Sequence, residues 1–311
     1  MDANAPEELI VLKNNSARYT FTSRGGGLKS VELSQYPETV SARWKKESPT
    51  NGVATLNRQA PVPVLAILGD ANLVGDGVFT LSKTEDGVRA EKLLPDGLRL
   101  VKEFHLSSNY LVNASVRLEN TTDKPLTLPA QEWVVGTATP MGVDDTAMTH
   151  GAMWSDGSKV SDHFANSFSG GGFLSCSRGL PRTEYREGAN NVLWAAAHNQ
   201  FFTITAIPKE AAAQIVSRPI QLPALTTNGI AVEGVQVALV YPAQTLTANS
   251  STERQIVLFA GPKEYRTLAG VAKQLNSNVD QVMGFDHLFP FYKFGGAFAK
   301  MLLVVMNCCT T

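Results

Sequence analysis

The sequence is short of cysteine, of net charge and of long apolar runs, and each shortage excludes a class of function. Three cysteines, Cys176, Cys308 and Cys309, supply no disulfide framework, because two are chain neighbours and the third stands alone. A formal net charge of −1 over 311 residues gives no basic field to hold nucleic acid, or an anionic bilayer by charge alone. Nowhere do ~18 apolar residues run together, so no segment reads as a bilayer span on its own. The acidic opening MDANAPEELI carries no apolar core, so no signal peptide is visible. Nucleophile-elbow (Gly-x-Ser-x-Gly) and His-Glu-x-x-His patterns are missing as well. The run RGGG (24–27) lacks the Gly-Lys-Ser/Thr ending of a phosphate loop and leads into a strand, so its glycines read as hairpin-turn residues.

What is present is material for a core. The chain is 43% hydrophobic and 18% charged, as a globular protein is. From residue 9 to about 260 its texture is β. RYTFTS (18–23) and LKSVELS (28–34) alternate around RGGG as a hairpin, and Asp86-Gly87 and Asp96-Gly97 punctuate three further alternating runs. YLVNASVRLEN (110–120) alternates cleanly and closes between Asn120 and Pro125. VLWAAA and FFTITAIP flank an HNQ turn, and IAVEGVQVALVYP and TLTANSSTERQIVLFAG read as a last pair. About fifteen short strands with frequent turns predict a mainly β fold, a large antiparallel β-sandwich.

The middle is irregular: SDGSKVSDHFANSFSGGGF (155–173) reads as a long loop. His150 and His163 flank or enter it together with Asp144, Asp145, Asp156 and Asp162, the one grouping with catalytic or metal-binding potential. Its spacing fits no ligand motif, so a solvated loop is the expectation, with no catalytic residue, no cofactor and no metal. His198, in the HNQ turn, is expected to be exposed, and His105 to lie on a rim; His287 is the fifth histidine. Trp133, Trp154, Trp194, Phe201 and Phe202 read mostly as core.

At Gly261 the period changes. GPKEYRTLAGVAKQLN places Pro262 at a helix start and Tyr265, Leu268, Ala269, Ala272 and Leu275 on one stripe, a packing helix from Lys263 to about Asn276. Beyond SNVDQVMGFDH, the stretch FPFYKFGGAFAKMLLVVMN (289–307) is the most apolar and aromatic of the chain. Phe291, Phe294, Phe298, Met301, Leu302 and Val305 fall on one helical face headed by Phe289, with Lys293 and Lys300 seven residues apart on a common side. Gly295-Gly296 weakens that helix. Periodicity alone leaves a core helix and an interfacial helix open, and the lysines disfavour a span.

Four stretches together resemble one family. FTSRGGGLKSVELSQY is similar to the opening hairpin of the large periplasmic domain of bacterial YidC membrane-protein insertases, and VLWAAAHNQFFTITAIP to a central hairpin of that domain. VLFAGPKEYRTLAG resembles the point where the sandwich gives way to its packing helix. MGFDHLFPFYKFGGAFAKMLLVVMN resembles the amphipathic helix that lies along the outer face of the inner membrane. The resemblance implies a β-supersandwich, galactose-mutarotase-like in shape without its catalysis, followed by C-terminal α-helices. It implies residues 1–8 as a disordered lead-in, 9–261 as the sandwich, 262–283 as packing helix and linker, and 284–311 as the interfacial segment. It further implies a non-catalytic, partner-binding module on the periplasmic side of the bacterial inner membrane. Implied partners are the membrane surface, Sec translocon accessory subunits and nascent membrane proteins. Family members in Gram-negative bacteria also carry a leading transmembrane helix and five later spans forming a hydrophilic groove with an arginine. These 311 residues contain no such segments, so no groove residue is carried over and insertion by this stretch alone is not expected. A carbohydrate-active or carbohydrate-binding sandwich using His150, His163 and a nearby Asp is the rival reading.

Overall fold

The computed structural model describes residues 6–38, 52–141, 147–170, 180–223 and 231–284. Twenty strands occur among them, all paired antiparallel where register is defined, so the mainly β sandwich expected from the sequence is what forms. Nine strands build one large sheet in the order 160–164, 151–155, 194–198, 202–208, 251–262, 111–120, 98–106, 87–93 and 80–83. Against it stand two smaller sheets. An N-terminal sheet of four strands runs 9–13, 17–22, 27–37, 53–56; a middle sheet of five runs 185–187, 214–222, 232–241, 131–138, 67–68. A two-stranded ribbon pairs Leu126–Leu128 with Gln244–Leu246.

Each small sheet covers a different half of the large one. On the N-terminal side Phe21 meets Phe104 across the layers at 5.0 Å between ring centroids, with Tyr19, Leu28, Val31 and Leu100 buried around them. On the other side Ile204 and Ala197 approach the backbone of Gly136, where a Cβ would sit 3.4 Å from each. The register of strand 131–138 shifts between Val134 and Gly136. Every residue of Gly151–Ser155 and Trp194–His198 is buried, so these strands lie covered on both faces and read as unbroken runs such as WAAAH.

Several expectations need correction. The stretch read as a loop over 155–173 contains the strand Val160–Phe164, pairing residue for residue with Gly151–Ser155, and a 3-10 turn at Ala165–Ser169. The supposed last pair is split: Val232–Tyr241 joins the middle sheet, while Ser251–Pro262 pairs with Leu111–Asn120 in the large sheet. Ahead of the first strand, Glu7 accepts from Lys29 Nζ at 2.7 and 2.8 Å and from Thr22 Oγ1 at 2.6 Å.

The chain divides at Gly261 and Pro262 into two compact units. In the second, a helix runs Tyr265–Leu275, closed by Asn276 in the left-handed region, and a 3-10 turn follows at Val279–Met283. Pro262 ends the preceding strand rather than opening the helix, whose N-cap is Glu264. Leu268, Val271 and Ala272 are its buried residues; Tyr265, Ala269 and Leu275 are half-buried. Among the described residues no helix is long and apolar enough to cross a membrane.

Candidate functional site

Where the edges of the large and middle sheets face each other, one histidine gathers partners from both. His163 points inward from the edge strand Val160–Phe164, in register with Ala152. Its Nδ1 lies 3.2 Å from Ser217 Oγ and its Nε2 3.3 Å from Glu187 Oε1. A proton on Nε2 donated to the carboxylate, with the serine hydroxyl donating to Nδ1, satisfies both. The ring stacks on Tyr185, centroids 4.1 Å apart and planes 12° off parallel. Phe168 meets Tyr185 edge-on at 5.0 Å, the Arg182 guanidinium lies 5.0 Å from the same ring, and Tyr185 Oη donates to Ser167 O. Trp154 Nε1 donates to the other Glu187 oxygen at 2.9 Å. Burial pushes the His163 pKa below its ordinary 6.5, although Glu187 and Asp162 pull it upward, so the ring is neutral at pH 7.

Alternation of faces puts Tyr185, Glu187 and Ser217 inside and Arg186 and Arg218 outside. On that outer face Glu132 accepts from Arg218 at 2.5 and 2.9 Å and from Arg186 at 2.7 Å, and Arg218 also reaches Glu184. The Arg218 and Arg186 hydrogen bonds hold the Glu132 carboxyl below the usual range. The short strand Tyr185–Glu187 is thus pinned from both sides. Serine, histidine and carboxylate follow one another as in a hydrolase triad, but Ser217 is 1% exposed. The arrangement joins two sheets, with His163 and Ser217 buried among the described residues.

A second buried ionisable group sits in the other half. Lys102, fully buried, donates from Nζ to Gly25 O at 2.8 Å and Leu65 O at 2.7 Å, with the Phe79 ring centroid 4.6 Å away. Burial, with Lys92 adding like charge, pulls its pKa down to about 7. Lys92 stands 5.7 Å from the same ring centroid and bonds Val74 O and Asp76. The RGGG turn is therefore one wall of this cradle. Gly26, at φ 56°, faces Phe79 so closely that a Cβ would enter the ring, and a Cβ on Gly27 would collide with Val64 O. Lys102 was not singled out from the sequence, yet Leu98, Leu100, Lys102 and Phe104 share one face of a strand, and a lysine in phase with apolar residues is the signal.

The sequence profile of the family described as YidC periplasmic domain matches residues 9–281. The chain belongs to that family. It is 23% identical over 291 residues to a membrane protein insertase YidC of Psychromonas ingrahamii, covering 87% of this chain and 46% of that protein. The chain thus spans about half the length of that relative. Among solved structures it is similar to a putative aldose 1-epimerase of Escherichia coli K12, with TM-score 0.49, 13% identity, and 82% and 99% of the two chains covered. It is similar also to a galactose mutarotase-like protein of Lactobacillus casei, with TM-score 0.48, 11% identity, and 81% and 100% covered.

In this YidC-family domain the residues singled out from the sequence fall in different places. His150 is buried with Nε2 2.8 Å from Glu233 O, a different partner set from that of His163. Asp156 caps the turn to Val160, accepting from Ser158 N and Lys159 N, and those bonds lower its pKa. Asp162 sits beside His163 on the edge strand; Asp144, Asp145 and His287 lie outside the described residues. His198, expected to be exposed, is 3% exposed because its strand is covered on both faces, and Phe164 packs edge-on to it. His105 pairs with Asp86 at 2.9 Å on an open face. Trp133, Trp154, Trp194 and Phe202 are core, whereas Phe201 is 56% exposed at the turn. No group of three His, Cys, Asp or Glu suited to a metal occurs among the described residues. Phe289, Phe291, Lys293, Phe294, Phe298, Lys300, Met301, Leu302 and Val305, the expected membrane-interface set, lie outside the described residues.

Proposed function

We propose that this chain is the periplasmic-side domain of a YidC-type membrane protein insertase, a non-catalytic module that binds partners at the outer face of the bacterial inner membrane. Membership of the YidC periplasmic domain family over residues 9–281 carries the reading. The burial of His163 and Ser217 in the imidazole–carboxylate–hydroxyl cluster supports a structural use of its polar chemistry. Inserting and folding membrane proteins is then the work of the longer insertase. This domain contributes contact surface for nascent membrane proteins and Sec translocon accessory subunits. Residues 284–311 supply the interfacial segment, its aromatic face among acyl chains and Lys293 and Lys300 at the headgroups. The helix Tyr265–Leu275 packs as a brace through Leu268, Ala272, Tyr265 and Leu275.

Vesicle flotation tests this. The full chain is expected to float with phosphatidylethanolamine–phosphatidylglycerol vesicles, and a chain lacking Gly284 to Thr311 to remain folded and stay in the dense fraction. Unfolding of the shortened chain would show the segment to be core instead. The carbohydrate rival predicts a thermal shift with galactose that is lost on substituting His150 and His163 by Ala. No shift with the unsubstituted chain removes that rival.

A further inference from the structure

We propose that His163 is an acid-released clasp: it fastens the edge of the large sheet to the edge of the middle sheet at neutral pH and lets the two separate when it takes up a proton. The geometry is that of a fastener. His163 is the side chain of the edge strand Val160–Phe164 that reaches Glu187 at 3.3 Å, Ser217 at 3.2 Å and the Tyr185 ring at 4.1 Å, all on the facing sheet. The strand it holds, Tyr185–Glu187, is three residues long and pairs on one side with Ile215–Ser217. Such a strand has few backbone bonds of its own and depends on side chains to stay docked.

The shell decides the sign. Glu187 and Asp162 favour an imidazolium, Arg182 opposes it, Tyr185 offers its ring face and Ser217 its hydroxyl. The neighbouring strand Gly151–Ser155 contributes Trp154 and no charge, and the 3-10 turn Ala165–Ser169 none. Arg218, the charge on strand Gln214–Leu222, points to the opposite face and is engaged by Glu132 and Glu184. Burial outweighs the two carboxylates, so the closed state binds the proton less well than the open one. Closure is therefore complete above pH 6.5, the ordinary value, and weakens as pH falls below it. Lys102 does not confuse this window, because its pKa of about 7 lies above it and its contribution is flat at lower pH. A domain carrying such a clasp exposes the inner face of its edge strands in acid while its centre stays folded.

The test is hydrogen exchange on the full chain at pH 6.5 and 5.0, both below the Lys102 value of about 7, corrected for intrinsic rates, with far-UV circular dichroism as the check on folding. Protection of 160–164 and 185–187 is expected to fall by up to about tenfold per pH unit below 6.5, while 98–106 and 111–120 hold theirs. His163→Phe keeps the ring on Tyr185 and removes the titration, so its protection at these strands should no longer depend on pH. Glu187→Gln removes the carboxylate that favours the imidazolium, so the acid loss should become steeper. Unchanged protection in the unsubstituted chain overturns the proposal, as does a persisting acid loss in His163→Phe. If His163→Phe does not fold, Glu187→Gln decides: a steeper loss supports the clasp and an unchanged loss overturns it.

Discussion

Two halves of one sandwich each bury a titratable side chain, and they do so by opposite means. Lys102 lies on a strand paired on both sides, and its partners are backbone carbonyls from two separate segments, which cannot change protonation. His163 lies on a terminal strand, and its partners are side chains, one of them a carboxylate. Reaching Lys102 means dismantling the glycine turn, the Phe79 contact and two sheets. Reaching His163 means lifting one short strand. A buried ionisable group thus stiffens the fold where main chain surrounds it and makes the fold responsive where side chains do.

Substitutions can break that contrast, starting with the largest expected effect. Gly27→Ala would drive a Cβ into Val64 O, a backbone atom that cannot step aside. Thermal or urea unfolding should show a loss of about 3 kcal/mol or more. Lys102→Met comes next, orphaning the carbonyls of Gly25 and Leu65; at pH 9 the loss should be about 2–4 kcal/mol. The same variant tests the titration. Between about 7 and 10.5 the unfolded chain holds a proton that folded Lys102 does not, so stability of the unsubstituted chain rises with pH. The rise approaches about 1.4 kcal/mol per pH unit, and Lys102→Met should flatten it. A slope that survives places the responsible group elsewhere. Ser217→Ala, facing the edge strand Val160–Phe164, removes one hydrogen bond to His163. A global loss of about 1 kcal/mol is expected; a loss as large as that of Lys102→Met would erase the distinction between centre and edge.

Much of the fold was legible because alternation is a local signal. The hairpins of 17–37 and 194–208 form where the pattern and the Gly-rich or Asn-containing turns put them. Pairing between distant strands leaves no local mark, so Val232–Tyr241 and Ser251–Pro262 looked like neighbours and went to different sheets. The edge strand Val160–Phe164 was hidden for a chemical reason: VSDHF has polar residues at both phases, as an edge half-open to solvent allows. The His163 cluster shared that fate, since Glu187 and Ser217 are far away in sequence and inconspicuous there. Lys102 was legible in principle through its phase, and was masked by the habit of reading lysine as outward.

The position of Ser251–Pro262 bears on how the molecule is made. That strand stands in the middle of the large sheet, between Phe202–Pro208 and Leu111–Asn120, and it is the last strand among the described residues. Before it arrives, the sheet is two separate ribbons of four strands, each with an open inner edge ready to pair with whatever comes near. A chain delivered from its N-terminus therefore cannot close until nearly all of the sandwich has emerged. Its half-assembled ribbons need shelter for that interval, and the final strand acts as the keystone that makes folding a late, all-at-once event.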